Sequence, residues 1–291
     1  MSIKVPVTFE RSFEGVRTKL VDFRTSDDVY LTASLTMPEN KAKLKKLAFV
    51  NSHGTNGSFY SGVPGFLPPL MARAGYASLS FNDRGAGTDF PFSTLEGFQR
   101  DMEAALEYMG GQGFDSFLLT GHSLGVVKVT YYQGVTKDSR TKALALYGPS
   151  GSDMPKRARL EFLGPKAFVK FEENCKNLLK KGQDDKLLLM PWTGGRKLVC
   201  TPKNWLSYRG SKSKARPVSW LKGIDLPVLL AYSRVEIVPR SEIDEIRRAT
   251  KHLTYSEFPS TNPMEGHFFF GKETDVANST IKWLSDSNLD Q

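Results

Sequence analysis

The 291-residue sequence predicts a mostly parallel, doubly wound α/β sheet, interrupted once by a basic insertion. Three observations carry this reading. Short apolar, β-branched runs bounded by turn residues recur through the first half, and stretches of helical length alternate with them from about residue 66. The rhythm stops at Gly148-Pro149-Ser150-Gly151 and resumes at residues 226–232.

In chain order, residues 16–23 and 29–36 read as an antiparallel pair of strands joined by the Ser26-Asp27-Asp28 turn. After a charged stretch at 41–46, residues 47–51 read as a buried strand entering the His53-Gly54 turn. A helix at 66–74, a strand at 77–81, a helix at 95–109, a strand at 117–120, a helix at 124–134 and a strand at 143–147 follow, which is the spacing of right-handed crossovers. Beyond the interruption come a strand at 226–232, a helix at 241–250, a strand at 253–258 and an amphipathic helix near 275–284. Residues 1–149 and 224–291 therefore form the predicted core. Residues 150–223 form an insertion after the sixth strand, with helical pieces such as 166–180 broken by Gly, Pro and Trp.

Composition narrows the functional classes. With 40% hydrophobic and 24% charged residues the chain is globular. No run reaches the roughly 18 apolar residues of a membrane helix, and residues 1–14 lack the apolar core of a signal peptide, so a soluble, cytoplasmic protein without membrane insertion is expected. Cys175 and Cys200 are the only cysteines, too few for a disulfide framework and without metal-ligand spacing; neither metal nor cofactor is expected. The net charge of +9 is local. Residues 153–216 hold sixteen Lys/Arg against six acids, an excess of ten, so the remainder nets about −1. Charge confined to one segment, with Trp192, Trp205 and Trp220 interleaved, argues against a uniformly basic nucleic-acid binder. Two readings stay open: a solvated basic surface, or cations that face a site and attract an anionic substrate.

Gly121-His122-Ser123-Leu124-Gly125 matches G-x-S-x-G, between a predicted strand and a predicted helix, the context in which that motif lifts a nucleophilic serine out of a strained turn. A serine hydroxyl needs a base at neutral pH, normally histidine. Of the four histidines, His122 lies inside the turn, His53 belongs to the turn after an early strand, and His252 reads as a surface residue at a helix end. His267 lies in a predicted loop, 262–271, between the last strand and the last helix. That loop opens at the carboxyl edge of a parallel sheet, the edge that also carries Ser123, so His267 is the expected base.

On these residues the chain resembles the α/β-hydrolase superfamily over nearly its whole length. The order is similar: an antiparallel start, His53-Gly54, Asp83-Arg84-Gly85-Ala86-Gly87, the serine turn, an insertion, and His267 near the end. Among members it looks most similar to serine esterases and lipase-like hydrolases with an inserted cap. The resemblance implies an oxyanion hole from the backbone N–H groups of Thr55 and Leu124, each such donor worth about 3–4 kcal/mol of barrier. It also implies a carboxylate after the strand at 228–232, where the family pattern sets Asp a few residues before Val-Pro. Here Val235 occupies that slot ahead of Val238-Pro239, and the acid, Glu236, follows one position later. Glu236, Asp153 after the strand at 143–147, or no carboxylate at all are the three possibilities.

Other motifs are weaker. Gly85-Ala86-Gly87 lacks the third glycine and the following helix of a dinucleotide site. Asp83-Arg84 reads as a structural ion pair or loop anchor, and Phe59, Tyr60, Phe268, Phe269 and Phe270 as core or pocket lining. The expected function is hydrolysis of a small-molecule carboxylic ester, thioester or lactone through an acyl-enzyme on Ser123. A lyase or carbon–carbon bond hydrolase on the same scaffold is the alternative that Val235 suggests, and a non-catalytic binder is the third.

Overall fold

The computed structural model describes residues 10–192 and 196–289. Its strands are β1 (Glu10–Phe13), β2 (Val16–Arg24), β3 (Tyr30–Pro38), β4 (Leu47–Ser52), β5 (Ser78–Phe81), β6 (Ser116–Ser123), β7 (Thr141–Pro149), β8 (Leu188–Pro191), β9 (Lys197–Cys200), β10 (Pro227–Ser233) and β11 (His252–Phe258). Nine of these form one sheet in the order β1-β2-β3-β5-β4-β6-β7-β10-β11, while β8 and β9 form a separate hairpin. The first three strands and the β3–β5 pairing are antiparallel; from β5 to β11 every pairing is parallel. The fold is thus the doubly wound α/β architecture expected, with two differences. A strand, β1, precedes the first one read from the sequence, so the insertion follows the seventh strand. His252 opens β11 instead of ending a helix, because the chain turns from helix to strand within two residues.

The helices are α1 (Val63–Arg73), α2 (Leu95–Gly111), α3 (Leu124–Thr136), α4 (Met154–Arg157), α5 (Pro165–Lys180), α6 (Pro202–Arg209), α7 (Pro217–Leu221), α8 (Arg240–Ala249), α9 (Pro263–Phe268) and α10 (Glu273–Asp286). Alternation along the central strands divides the core in two. Leu119, Leu144, Leu146 and Leu230 pack with side chains of α2, α3 and α8. Leu118, Ala145, Tyr147 and Leu229 pack with α1 and α10 on the other face. Burial on both faces is why these strands read as continuous apolar runs, and each fully buried leucine contributes about 1.5–3 kcal/mol.

Residues 150–223 carry α4 to α7 and the hairpin. On α5, Phe168, Glu172, Cys175 and Leu178 are buried while Lys166, Lys170, Lys176 and Lys180 face solvent. A third apolar cluster joins this segment to the core, bringing Met154, Phe168, Met190, Trp205 and Tyr208 against Phe90, Leu124, Val127 and Tyr131. Of the sixteen Lys/Arg between 153 and 216, thirteen are exposed and Arg216 is half-buried; only Arg157 and Arg209 lie inside. Among the described residues no helix is long and apolar enough to cross a membrane.

Candidate active site

Ser123 ends β6 and caps α3 with φ 58° and ψ −119°, a left-handed backbone held by a non-glycine residue. Such strain costs on the order of 1–3 kcal/mol and persists only where neighbours enforce it. The neighbours are identifiable. A Cβ on Gly121 would stand 2.4 Å from the Gly125 backbone, and one on Gly125 would stand 2.4 Å from the Ser52 carbonyl oxygen, so strand and helix meet only without side chains there. Leu124 is the first residue of α3, so its N–H has no intrahelical acceptor. The 54–55 turn runs alongside: a Cβ on Gly54 would lie 2.7 Å from Ser123 Cβ and 3.2 Å from Ser123 Oγ. Thr55, the other expected oxyanion donor, is the next residue.

His267 sits on α9, a short helix capped by Asn262, in the stretch read from sequence as a loop. Its Nδ1 donates to Glu236 Oε1 at 3.0 Å, with both side chains no more than 4% exposed. The displaced acid reaches its partner for a local reason. The Val235 backbone is pinned by Ser260, whose Oγ accepts from Val235 N and donates to Val235 O, and it packs against Gly266. With that backbone fixed, the longer Glu236 side chain spans the gap, and Ile237 N donates to the same Oε1 at 3.0 Å. Asp153 is engaged elsewhere: it caps α4 by accepting from Lys156 N and pairs with Arg216. Gly148, at the end of β7 with φ 46°, completes the arrangement. A Cβ there would lie 3.0 Å from the His267 carbonyl oxygen and 3.4 Å from both Glu236 Oε2 and His267 Nδ1.

The other two buried histidines are structural in position. His122 Nε2 donates to the His267 carbonyl at 2.8 Å, and the two rings lie 5.0 Å apart. Burial, reinforced by His267, pulls the His122 pKa down to about 3, so it remains a neutral donor. His53 Nδ1 donates to the Gly54 carbonyl at 2.8 Å, while Nε2 accepts from Asp83 N at 3.3 Å. Burial also lowers its pKa. Beneath it lies Lys128, which the sequence reading passed over; its signal was a lone cation inside the apolar run Val126-Val127-Lys128-Val129. Lys128 is fully buried, donating to Asp83 Oδ2 at 2.5 Å and to the His53 carbonyl at 3.4 Å. Asp83 Oδ1 in turn accepts from Gly85 N. Asp83 and Arg84 are loop anchors, but not with each other, since Arg84 binds Asp27 and Asp101. Of the aromatics, Phe269 is core, Phe268 packs against both His122 and His267, and Tyr60 and Phe270 are exposed. Among the described residues no three His, Cys, Asp or Glu side chains gather as a metal site.

No protein-family model and no curated protein matches this chain. Solved structures do. It is similar to Est1E from Butyrivibrio proteoclasticus, solved with ferulic acid bound, at 20% identity and TM-score 0.69, over 90% of this chain and 99% of that one. The esterase domain of a Rhodothermus marinus protein aligns at 19% identity and TM-score 0.65, over 92% and 97%. The α/β hydrolase GrgF from Penicillium sp. sh18 aligns at 13% identity and TM-score 0.70, over 92% and 98%. The chain has the α/β-hydrolase fold. Within that fold, Ser123 ends β6, Glu236 follows β10 and His267 follows β11, which places all three at the carboxyl edge of the parallel strands, with Glu236 and His267 in hydrogen-bond contact.

Proposed function

We propose that the chain is a serine hydrolase of carboxylic esters, thioesters or lactones. In this reading Ser123 Oγ attacks the carbonyl carbon and His267 Nε2 takes the hydroxyl proton. Glu236 holds the imidazole in the Nδ1–H tautomer and stabilises the imidazolium as it forms. The N–H groups of Leu124 and Thr55 receive the developing oxyanion. Collapse expels the alcohol or thiol with the proton from His267, and water, activated by the same nitrogen, hydrolyses the acyl-enzyme. Residues 150–223 serve as a cap over the site.

The observation that carries the reading is the 3.0 Å contact between Glu236 and His267, together with a serine held at φ 58° at the end of β6. The hydrogen bond between His267 and the carboxylate one position beyond the usual slot supports Glu236 as the orienting acid and favours hydrolysis over lyase chemistry. Two structural neighbours, Est1E and the Rhodothermus marinus esterase domain, support the substrate class.

A fluorophosphonate probe tests the mechanism. It should label the wild type and not Ser123→Ala, whose ester turnover should fall by about 10⁴-fold or more. Equal labelling of both proteins, or none of the wild type, rules the covalent route out. Asp153→Asn should keep its activity while Glu236→Gln loses it.

A further inference from the structure

The two buried arginines of residues 150–223 differ in how their charge is met. Arg157 donates to the Ser150 carbonyl and to Glu161, and lies 3.6 Å from Glu242. Arg209 is 0% exposed, and none of its three side-chain nitrogens has a hydrogen-bond partner. Its surroundings are rings: Trp192 at 4.8 Å and Phe90 at 5.8 Å from the guanidinium carbon. Burial lowers its pKa only to about 10, so it stays charged at neutral pH. Two cation–π contacts offset only part of the cost of a desolvated, unpaired cation.

Arg209 is not an isolated case. Asn204 Oδ1 and Trp205 Nε1, on the inward face of α6, also lack partners; with Arg209 they supply five of the twelve such atoms among the described residues. Slack packing does not account for this. Asn204 Nδ2 donates to the carbonyls of Phe90 and Ser93, Thr201 Oγ1 to that of Pro91, and Ser207 Oγ accepts from Leu95 N. A helix held this firmly presents polar tips that the protein itself does not satisfy. The face belongs to the apolar cluster that also contains Leu124, the residue after Ser123, and Phe90, over whose ring Arg209 lies. Arg157 beside it binds the carbonyl of Ser150, whose N–H donates to the Ser123 carbonyl at 3.3 Å.

We propose that the inward face of α6 is an anion subsite in which Arg209, assisted by Trp205 Nε1, receives a carboxylate of the substrate, so that the ester cleaved at Ser123 carries a second, free carboxylate. This rests on the hydrolase reading above. A planar carboxylate matches the guanidinium fork. A monoanion is favoured over a phosphate dianion because the Arg157 charge is already met by Glu161 and Glu242, leaving one cation to neutralise. Trp192, partly exposed and closest to the guanidinium, is the side chain the carboxylate displaces.

The test compares monomethyl esters of the dicarboxylic acids from malonate to adipate with the corresponding neutral dimethyl esters. The wild type should prefer the best monoester over its diester by about 10- to 100-fold in kcat/KM. In Arg209→Met that ratio should collapse towards one, and in Trp205→Phe it should fall several-fold. Independently of turnover, the same monoester should raise the Tm of Ser123→Ala more than its diester does, and lose that advantage in Ser123→Ala/Arg209→Met. Hydrolysis with no preference for any monoester, or with the same preference in Arg209→Met, overturns the subsite while leaving the hydrolase intact. An Arg209-dependent Tm shift without hydrolysis of either ester overturns the hydrolase while supporting the subsite. If Arg209→Met is too unstable to assay, Trp205→Phe and Arg209→Lys decide, and an unchanged ratio in both overturns the proposal.

Discussion

Lys128 and Arg209 are both completely buried cations, one on α3 in the core and one on α6 in the 150–223 segment. Lys128 is met by Asp83 and by the His53 carbonyl, and through them it ties the 53–54 turn to the 83–87 loop. Among the described residues Arg209 has no hydrogen-bond partner and lies over the rings of Trp192 and Phe90. A buried charge with its partner in the same chain is a fastener. One with no partner is an unfilled valence, stable in isolation only at a cost that the rest of the fold carries.

The largest stability effect should come from breaking the paired side. Lys128→Met leaves the Asp83 carboxylate buried and uncompensated, and should destabilise the protein by about 3–5 kcal/mol in urea unfolding. Asp83→Asn/Lys128→Met should recover a substantial part of that loss; a strictly additive double variant would mean that the two groups do not act as a pair.

Activity gives the next contrast. Glu236→Gln keeps the shape of the His267 contact but not its charge, and should lower kcat by roughly 10²- to 10⁴-fold with little change in Tm. A variant that lost both equally would assign Glu236 to the scaffold instead.

The core side should also sense pH through His122. Its folded pKa of about 3 lies below the ordinary value of 6.5, so the unfolded chain binds the proton first on acidification. The stability it contributes is complete above pH 6.5 and is lost progressively as pH falls from there towards 3, at up to about 1.4 kcal/mol per unit. The slope of unfolding free energy between pH 6 and 4 should therefore be shallower in His122→Gln than in the wild type.

The smallest and most diagnostic effect belongs to the unpaired side. Arg209→Met, without ligand, should be neutral or more stable than the wild type by up to about 2 kcal/mol, the opposite sign to Lys128→Met. A loss of several kcal/mol would make the two cations alike.

The difference between the two regions also governs what the sequence disclosed. The serine turn was legible because Gly121 and Gly125 are steric necessities with a fixed spacing, and His267 because only one histidine falls after the last parallel strand. Glu236 was ambiguous, since its reach depends on Ser260 and Gly266 pinning Val235, contacts between residues 25 or more positions apart. The short helix under His267 is six residues long, below the length at which periodicity signals a helix. Lys128 stood out from its apolar neighbours, but its partner lies 45 residues away. Arg209 was hidden among sixteen cations, and α6 buries Asn204, Trp205, Tyr208 and Arg209, a face whose polar ends invert the usual amphipathic pattern.

The hydrogen bond from His122 to the His267 carbonyl has a mechanical consequence. β6, which carries Ser123, and β11, after which His267 follows, are three steps apart in the sheet, about 14 Å at the ordinary strand spacing. Over such a distance, small changes in sheet twist accumulate. The cross-tie bypasses the intervening strands and references the α9 backbone directly to the turn beside the serine. The two halves of the proposed proton relay are thereby gauged against each other instead of against the sheet, so the alignment should tolerate breathing of β7 and β10 that would otherwise detune it.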